Sequence, residues 1–417
     1  MSAAAEAPAV DARRVVGELR ELQLLTGNER GAQRLAWADT WGAARKWMVD
    51  RLRRLPVEVA TDAAGNRWAT LRGERDDAVL IGSHLDSVPD GGWLDGALGL
   101  LGGLEVLRAL AKRGSPPVTV RLVDWADEEG ARFGYGCLGS SAAARTLDLA
   151  DIEHLSDPDG NRLPDVLAGH GVDVSRMLEA AAELDGAAAY VELHIEQGPV
   201  LERLGIPLGV VLGTAGVERH TVSFCGQAAH AGSTPMEARR DALAAAARLV
   251  LSVRDPAREA GAVATVGRCT VEPGIVTAVP GRCEVTLDQR HLDAGVLADL
   301  LESTRRASEA IASSEGVEVA WSRLWGIEPV HFDADLVDLA EAAVRDVAGT
   351  CHRLPSGPLH DAAEVARAGV PTVMLFVQSL RGLSHTREED THPEHLELAV
   401  RALAGTVQRV IERVSVG

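Results

Sequence analysis

Ala78-Val-Leu-Ile-Gly-Ser-His84-Leu-Asp86-Ser-Val88 decides how the chain is read. Ala78–Ser83 is a continuous apolar run, the pattern of a strand buried on both faces of a sheet. It runs directly into His84, and Asp86 follows two residues later, so in extended backbone both side chains point to the same side. In α/β sheets, ligand-binding groups gather where strands end at their carboxyl termini.

The alternation continues outward from this segment. Gly96–Arg113 reads as a helix closed by Gly114 and the Pro116-Pro117 pair, Val118–Trp125 and Ala188–Ile195 as further strands, and Thr372–Phe376 as a late one. Val10–Leu25 and Thr40–Leu55 carry apolar residues at helical spacing, and Val57–Ala60 with Trp68–Leu71 reads as a hairpin. Ala334–Val347, a segment after Leu359, and Glu394–Val414 read as helices. The fold class expected is α/β, a mostly parallel sheet covered by helices.

The stretch from about 211 to 325 differs. It reads as strand His220–Phe224, helix Pro235–Val253, strands Ala262–Val271 and Cys283–Asp288, helix Ala294–Ala312 and strand Val317–Ala320. That is an inserted α+β unit of ferredoxin-like type, leaving 1–210 and 326–417 as the main domain. Thr234, Pro235 and Glu237 match an N-cap, a first helical residue and the third position of a capping box.

The 417 residues are 46% apolar and 25% charged, long enough for two domains, and carry a net charge of −19. An acidic body argues against nucleic-acid binding. The N-terminal stretch lacks a signal-peptide core, and the most apolar run, Gly96 to Leu104, is far shorter than the ~20 residues that span a bilayer. Five scattered cysteines without a CxxC pair fit free thiols in a reducing compartment. The expectation is a cytoplasmic protein with no membrane or nucleic-acid partner.

Five places put metal-type or acid/base side chains at expected strand ends. They are His84 with Asp86, Asp95 between glycines, the triplet Asp127-Glu128-Glu129, Glu192-Leu-His194-Ile-Glu196, and Ser384-His385. Asp95 could cap a helix or bridge two cations. Three consecutive acids repel one another unless cations lie close, although an acidic run is ordinarily a solvated loop. Mixed His and carboxylate groups without Cys suit a hydrolytic centre of one or two divalent ions.

Taken together, Gly82-Ser-His-Leu-Asp-Ser-Val, Gly91-Gly-Trp-Leu-Asp-Gly, Asp127-Glu-Glu-Gly-Ala-Arg-Phe, His194-Ile-Glu-Gln-Gly-Pro, His230-Ala-Gly-Ser-Thr-Pro-Met and Gly382-Leu-Ser-His resemble the family of N-carbamoyl-L-amino-acid hydrolases, allantoate amidohydrolases and β-ureidopropionases. This family lies within the wider clan of dimetal aminoacylases and carboxypeptidases. The resemblance runs from about Gly82 to His385. It implies that His84 and His194 hold one divalent ion (Zn, Mn, Co or Ni), Glu129 and His385 a second, and Asp95 both. It also implies Glu128 as general base, Asp86 as its orienting neighbour, and Gln197, His230, Thr277, Arg290, Gly357 and His360 as substrate contacts. The inserted unit would be a lid and homodimerisation domain. The substrate would be a small ureido or acyl amino acid.

Two departures from the family pattern fall on substrate-contact segments rather than on metal positions. Thr277 stands where the family usually has Asn, and Pro358-Leu359 where it often has Ala-Gly. Threonine offers a hydroxyl in place of an amide, and leucine adds bulk where glycine lets substrate approach the backbone. A ureido-hydrolysing enzyme and an aminoacylase or dipeptidase acting on N-acyl amino acids both remain compatible with these residues.

Overall fold

Ala78–His84 lies inside a nine-stranded sheet of the computed structural model, which describes residues 7–416. Residues 1–6, part of the stretch read above for a signal peptide, lie outside the described residues. Across the sheet the order is Val330–His331, Leu208–Thr214, Thr372–Val377, Ala187–Ile195, Ala78–His84, Thr119–Trp125, Arg67–Leu71 and Glu58–Thr61, with His352–Ser356 pairing on Leu208–Thr214. The four strands from Thr372–Val377 to Thr119–Trp125 are parallel. Antiparallel pairings flank them on both sides.

Burial explains the composition of these strands. Every residue of Ala78–His84 and Thr372–Val377 is buried, so neither shows polar alternation. Helices Ala97–Ala111 and Pro393–Val416 pack on the sheet, and Ala12–Thr26 and Ala334–Ala348 pack against them. Ala97–Ala111 approaches closely because Gly99 and Gly103 face the sheet. A Cβ on Gly99 would run into the carbonyl of Leu193, and one on Gly103 into Leu122 and Ile81.

The chain divides into two compact units, one running to Gly213 and resuming at His331, the other Thr214–Val330. The second unit holds a four-stranded antiparallel sheet in the order Val263–Glu272, Arg282–His291, Gly216–Cys225, Glu318–Ile327. Helices Ala242–Ser252 and Ala294–Glu315 cover one face over a core of Val222, Phe224, Leu249, Val285 and Leu287. The other face is polar, as the alternating burial along Arg282–His291 shows. A short ribbon pairs Ala229–His230 with Ala278–Val279.

The expected helix Pro235–Val253 is not formed as read. Met236–Ala238 is a single 3-10 turn, Pro235 is extended (ψ 151°), and the helix begins at Ala242. Its N-cap is Asp241, which accepts hydrogen bonds from the backbone of Leu243 and Ala244. Thr234 is instead tied into the ribbon turn, its N–H donating to His230 O, while the Arg239 guanidinium holds the carbonyls of Thr234 and Ala231. The strands Leu208–Thr214 and His352–Ser356 were not anticipated. Glycines break the first and Pro355 interrupts the second.

Candidate metal centre

Parallel strands deliver their carboxyl ends to one edge of the sheet, and the polar side chains gather there. His84 ends one strand, His194 stands near the end of the next, and the Asp127–Glu129 loop follows Thr119–Trp125. Asp95 lies one residue before Gly96, which caps helix Ala97–Ala111 with φ +63° and no side-chain cap. Asp95 is therefore not the helix N-cap. Gly96 is required twice over: its φ is left-handed, and a Cβ there would strike the His84 ring.

Asp95 sits between two groups of candidate ligands. Its Oδ1 is 3.1 Å from His194 Nε2 and 3.7 Å from His84 Nε2, and its Oδ2 is 3.5 Å from His385 Nε2. Glu129 Oε2 is 3.3 Å from the same His385 nitrogen. The sets His84–Asp95–His194 and Asp95–Glu129–His385 each present ligand atoms within 4.8 Å of one another. His84 and His194 are buried with Nε2 lacking any hydrogen-bond partner, and each Nδ1 faces a backbone carbonyl, of Asp86 at 3.2 Å and of Ile195 at 3.0 Å. An orphaned buried imidazole nitrogen aimed at a carboxylate, with its other nitrogen oriented from behind, is the donor set a divalent ion uses.

Glu128 belongs to neither set. Its Oε2 is 3.6 Å from His84 Nε2, its Oε1 is 3.9 Å from His360 Nδ1, and the Cys137 thiol lies 4.0 Å away. Asp86 lies against the His84 ring. Its carboxylate is 3.5 Å from Nδ1, farther than its own carbonyl, and accepts from the N–H groups of Glu128 and Glu129 at 3.3 and 3.1 Å. Asp86 thus fixes the turn that carries Glu128 and Glu129. Asp127, Gln197 and His385 all adopt positive φ at this edge, a backbone cost of about 1–3 kcal/mol each that the surrounding bonds must hold in place.

Burial pushes the Glu128 and Glu129 carboxyls well above their ordinary range, and neighbouring carboxylates add to it. Burial also opposes charge on His84, but Glu128, Asp86 and Asp95 outweigh it and hold the imidazole well above its usual value. Asp95 is lowered despite burial because His194, His84 and His385 face it. His360 is driven well below its ordinary value by burial and by the adjacent His194. His84, His194 and Glu129 all hold protons more tightly than usual without an ion, so binding of a divalent ion competes with those protons. Loading the metal-free protein with Zn2+ or Mn2+ is expected to release protons and to weaken as pH falls. Calorimetric titration in two buffers of different ionisation enthalpy checks this, and identical heats in both would contradict it.

Of the expected substrate contacts, Gln197 lies at the centre, its Nε2 donating to Asp95 Oδ2 at 2.9 Å. His360 packs on the His194 ring at 4.5 Å, and Gly357 is exposed in the turn after His352–Ser356. His230, Thr277 and Arg290 are in the second unit. His230 and Thr277 are neighbours on the ribbon, where Ala231 N–H donates to Thr277 O. Arg290 lies near the end of the strand Arg282–His291, opposite Val263 and Val217.

Residues not singled out from sequence complete the centre. Glu389 accepts from the backbone N–H of Leu94 and Asp95, both at 3.0 Å, and Ser384 Oγ lies 2.9 Å from Asp95 Oδ2. Burial and Asp95 push the Glu389 carboxyl up to about 7. Arg34 is fully buried and donates through Nε to Leu85 O, tying down the loop that carries Asp86.

Residues 80–409 match the model of peptidase family M20/M25/M40. An N-carbamoyl-L-amino acid amidohydrolase of Geobacillus stearothermophilus is 37% identical over 92% of this chain and 94% of its own length. An allantoate amidohydrolase of Bacillus subtilis is 32% identical over 91% and 93%. Among solved structures, a hydantoinase/carbamoylase family amidase of Burkholderia multivorans superposes with a TM-score of 0.87 at 34% identity, covering 97% of this chain and 98% of that one. The chain belongs to peptidase family M20/M25/M40, in the amidohydrolase group that its motifs resemble, and is a hydrolase.

Proposed function

We propose that the protein hydrolyses the ureido C–N bond of an N-carbamoyl amino acid or related ureido acid, taking up water and releasing the amine, CO2 and ammonia. The observation that carries this reading is Asp95 shared by two ligand sets, with Glu128 beside His84 and part of neither set. His84, Asp95 and His194 would hold one divalent ion, and Asp95, Glu129 and His385 a second, with Zn, Mn, Co and Ni all suited to mixed N/O donors. Such ions, when bound, supply Lewis acidity toward a carbonyl that two nitrogens make a poor electrophile. Glu128 takes the proton of the attacking water and delivers it to the leaving nitrogen. Asp86 holds the backbone of Glu128 and Glu129 while this happens.

The roles implied for the second unit belong to the same proposal. Arg290 would receive the substrate carboxylate through a bidentate fork, and His230 and Thr277 would contact the substrate. Gln197, Gly357 and His360 would contribute from the first unit. The second unit would also form a homodimer. Exposed Leu243 and Leu251 line a groove with Cys269 of the edge strand Val263–Glu272, whose outer edge is unpaired among the described residues and suited to association. Five free thiols fit a cytoplasmic setting, and no helix among the described residues is long and apolar enough to cross a membrane.

Thr277 and Leu359 favour one alternative, an aminoacylase or dipeptidase using the same centre on an N-acyl amino acid. A screen with added divalent ions separates the two. Ammonia release from N-carbamoyl amino acids, N-carbamoyl-β-alanine, allantoate or ureidoglycolate is the expected result. Turnover of N-acyl amino acids alone would overturn the ureido assignment.

A further inference from the structure

Resting on Arg290 as the clamp for the substrate carboxylate, we propose that Asp288 is a positioning residue for that clamp, with Arg219 as its anchor, so that a row Arg219–Asp288–Arg290 sets how strongly an acidic substrate is held. Asp288 and Arg290 are two apart on Arg282–His291 and share the open face of the sheet, while Leu287 and Gln289 between and beside them are buried under the helices. Arg219 on the neighbouring strand stands directly opposite Asp288.

The contacts are directional. Asp288 Oδ1 accepts from Arg290 Nε at 2.8 Å and Oδ2 from Arg290 Nη2 at 3.2 Å, a side-on grip on one edge of the guanidinium. Arg219 Nε donates to Oδ2 at 2.6 Å, and the Arg219 guanidinium lies 5.2 Å from the Trp325 ring centroid. A planar guanidinium gripped by its Nε edge has its Nη1/Nη2 edge turned away from the gripping carboxylate, the edge that pairs bidentately with another carboxylate. Asp288 is thus one carboxylate shared by two guanidinium groups. Although burial works against it, the bonds from Arg290 and Arg219 lower the Asp288 pKa, so Asp288 stays an acceptor throughout the neutral range.

The test uses Asp288→Asn, Arg219→Met and Arg290→Met. Each is assayed on the carboxylate-bearing substrate class that the screen identifies, N-carbamoyl or N-acyl, and on the corresponding carboxamide. Arg290→Met is expected to raise KM for the acid and leave the carboxamide unaffected. Asp288→Asn is expected to raise KM for the acid about tenfold with kcat within about twofold, and to add nothing in the Arg290→Met background. Arg219→Met loosens the same row without touching its other two members and should raise KM in the same direction by a smaller factor. Unchanged KM in Asp288→Asn where Arg290→Met raises it would overturn the inference and leave the clamp standing. An equal effect of Asp288→Asn with and without Arg290, or on acid and carboxamide alike, would also overturn it. An Arg290→Met enzyme with unaltered KM would remove the clamp and the inference together.

Discussion

Glu128→Gln is expected to keep its bound ions and its fold while kcat falls by about a hundredfold to ten-thousandfold, the span that general acid–base catalysis contributes. Both ligand sets are complete without Glu128. The amide has the same shape and can still lie beside His84 and Cys137, but it cannot accept a proton from water and return it to a leaving nitrogen. Metal content by emission spectroscopy and steady-state kinetics on one preparation check the two halves of the expectation. A variant with full metal content and wild-type kcat would remove Glu128 from the reaction, and one that lost its metal would place it among the ligands instead.

Asp95→Ala is expected to have the larger effect. A single carboxylate faces His84, His194 and His385, so its removal strips one donor from each set at once. It also leaves buried His84 and His194 without the anion that favours their charged form in the metal-free protein. The protein should retain well under one ion per chain after dialysis, and activity should fall at least ~1000-fold, as several kcal/mol of charge stabilisation disappear. A variant that still carries a full metal complement would show that Asp95 is not shared.

The central strands and the polar groups at their ends were legible because burial on both faces leaves an apolar run that a histidine or acid visibly interrupts, as at His84 and His194. What escaped is what depends on partners far along the chain. Glu389 sits in Arg387-Glu388-Glu389-Asp390, a stretch that reads as a solvated charge run, and its role comes from the N–H groups of Leu94 and Asp95, nearly 300 residues earlier. Asp86 lies against His84, as their spacing of two suggests, but its grip on the N–H groups of Glu128 and Glu129 some 40 residues on leaves no local mark. Thr234-Pro235-Met-Glu237 had every local mark of a helix start, but the ribbon pairing of His230 with Ala278 claims that segment and moves the start to Asp241.

Thr372–Val377 lies between Ala187–Ile195 and Leu208–Thr214, two strands that leave the ribosome more than 150 residues before it. A nascent chain must therefore carry an open slot in its largest sheet throughout synthesis of Thr214–Val330, a unit with a core of its own that can fold during the wait. The slot closes only when the last ninth of the chain arrives, bringing His385 with it, so a truncated translation product would expose two apolar strand edges rather than a smaller working protein.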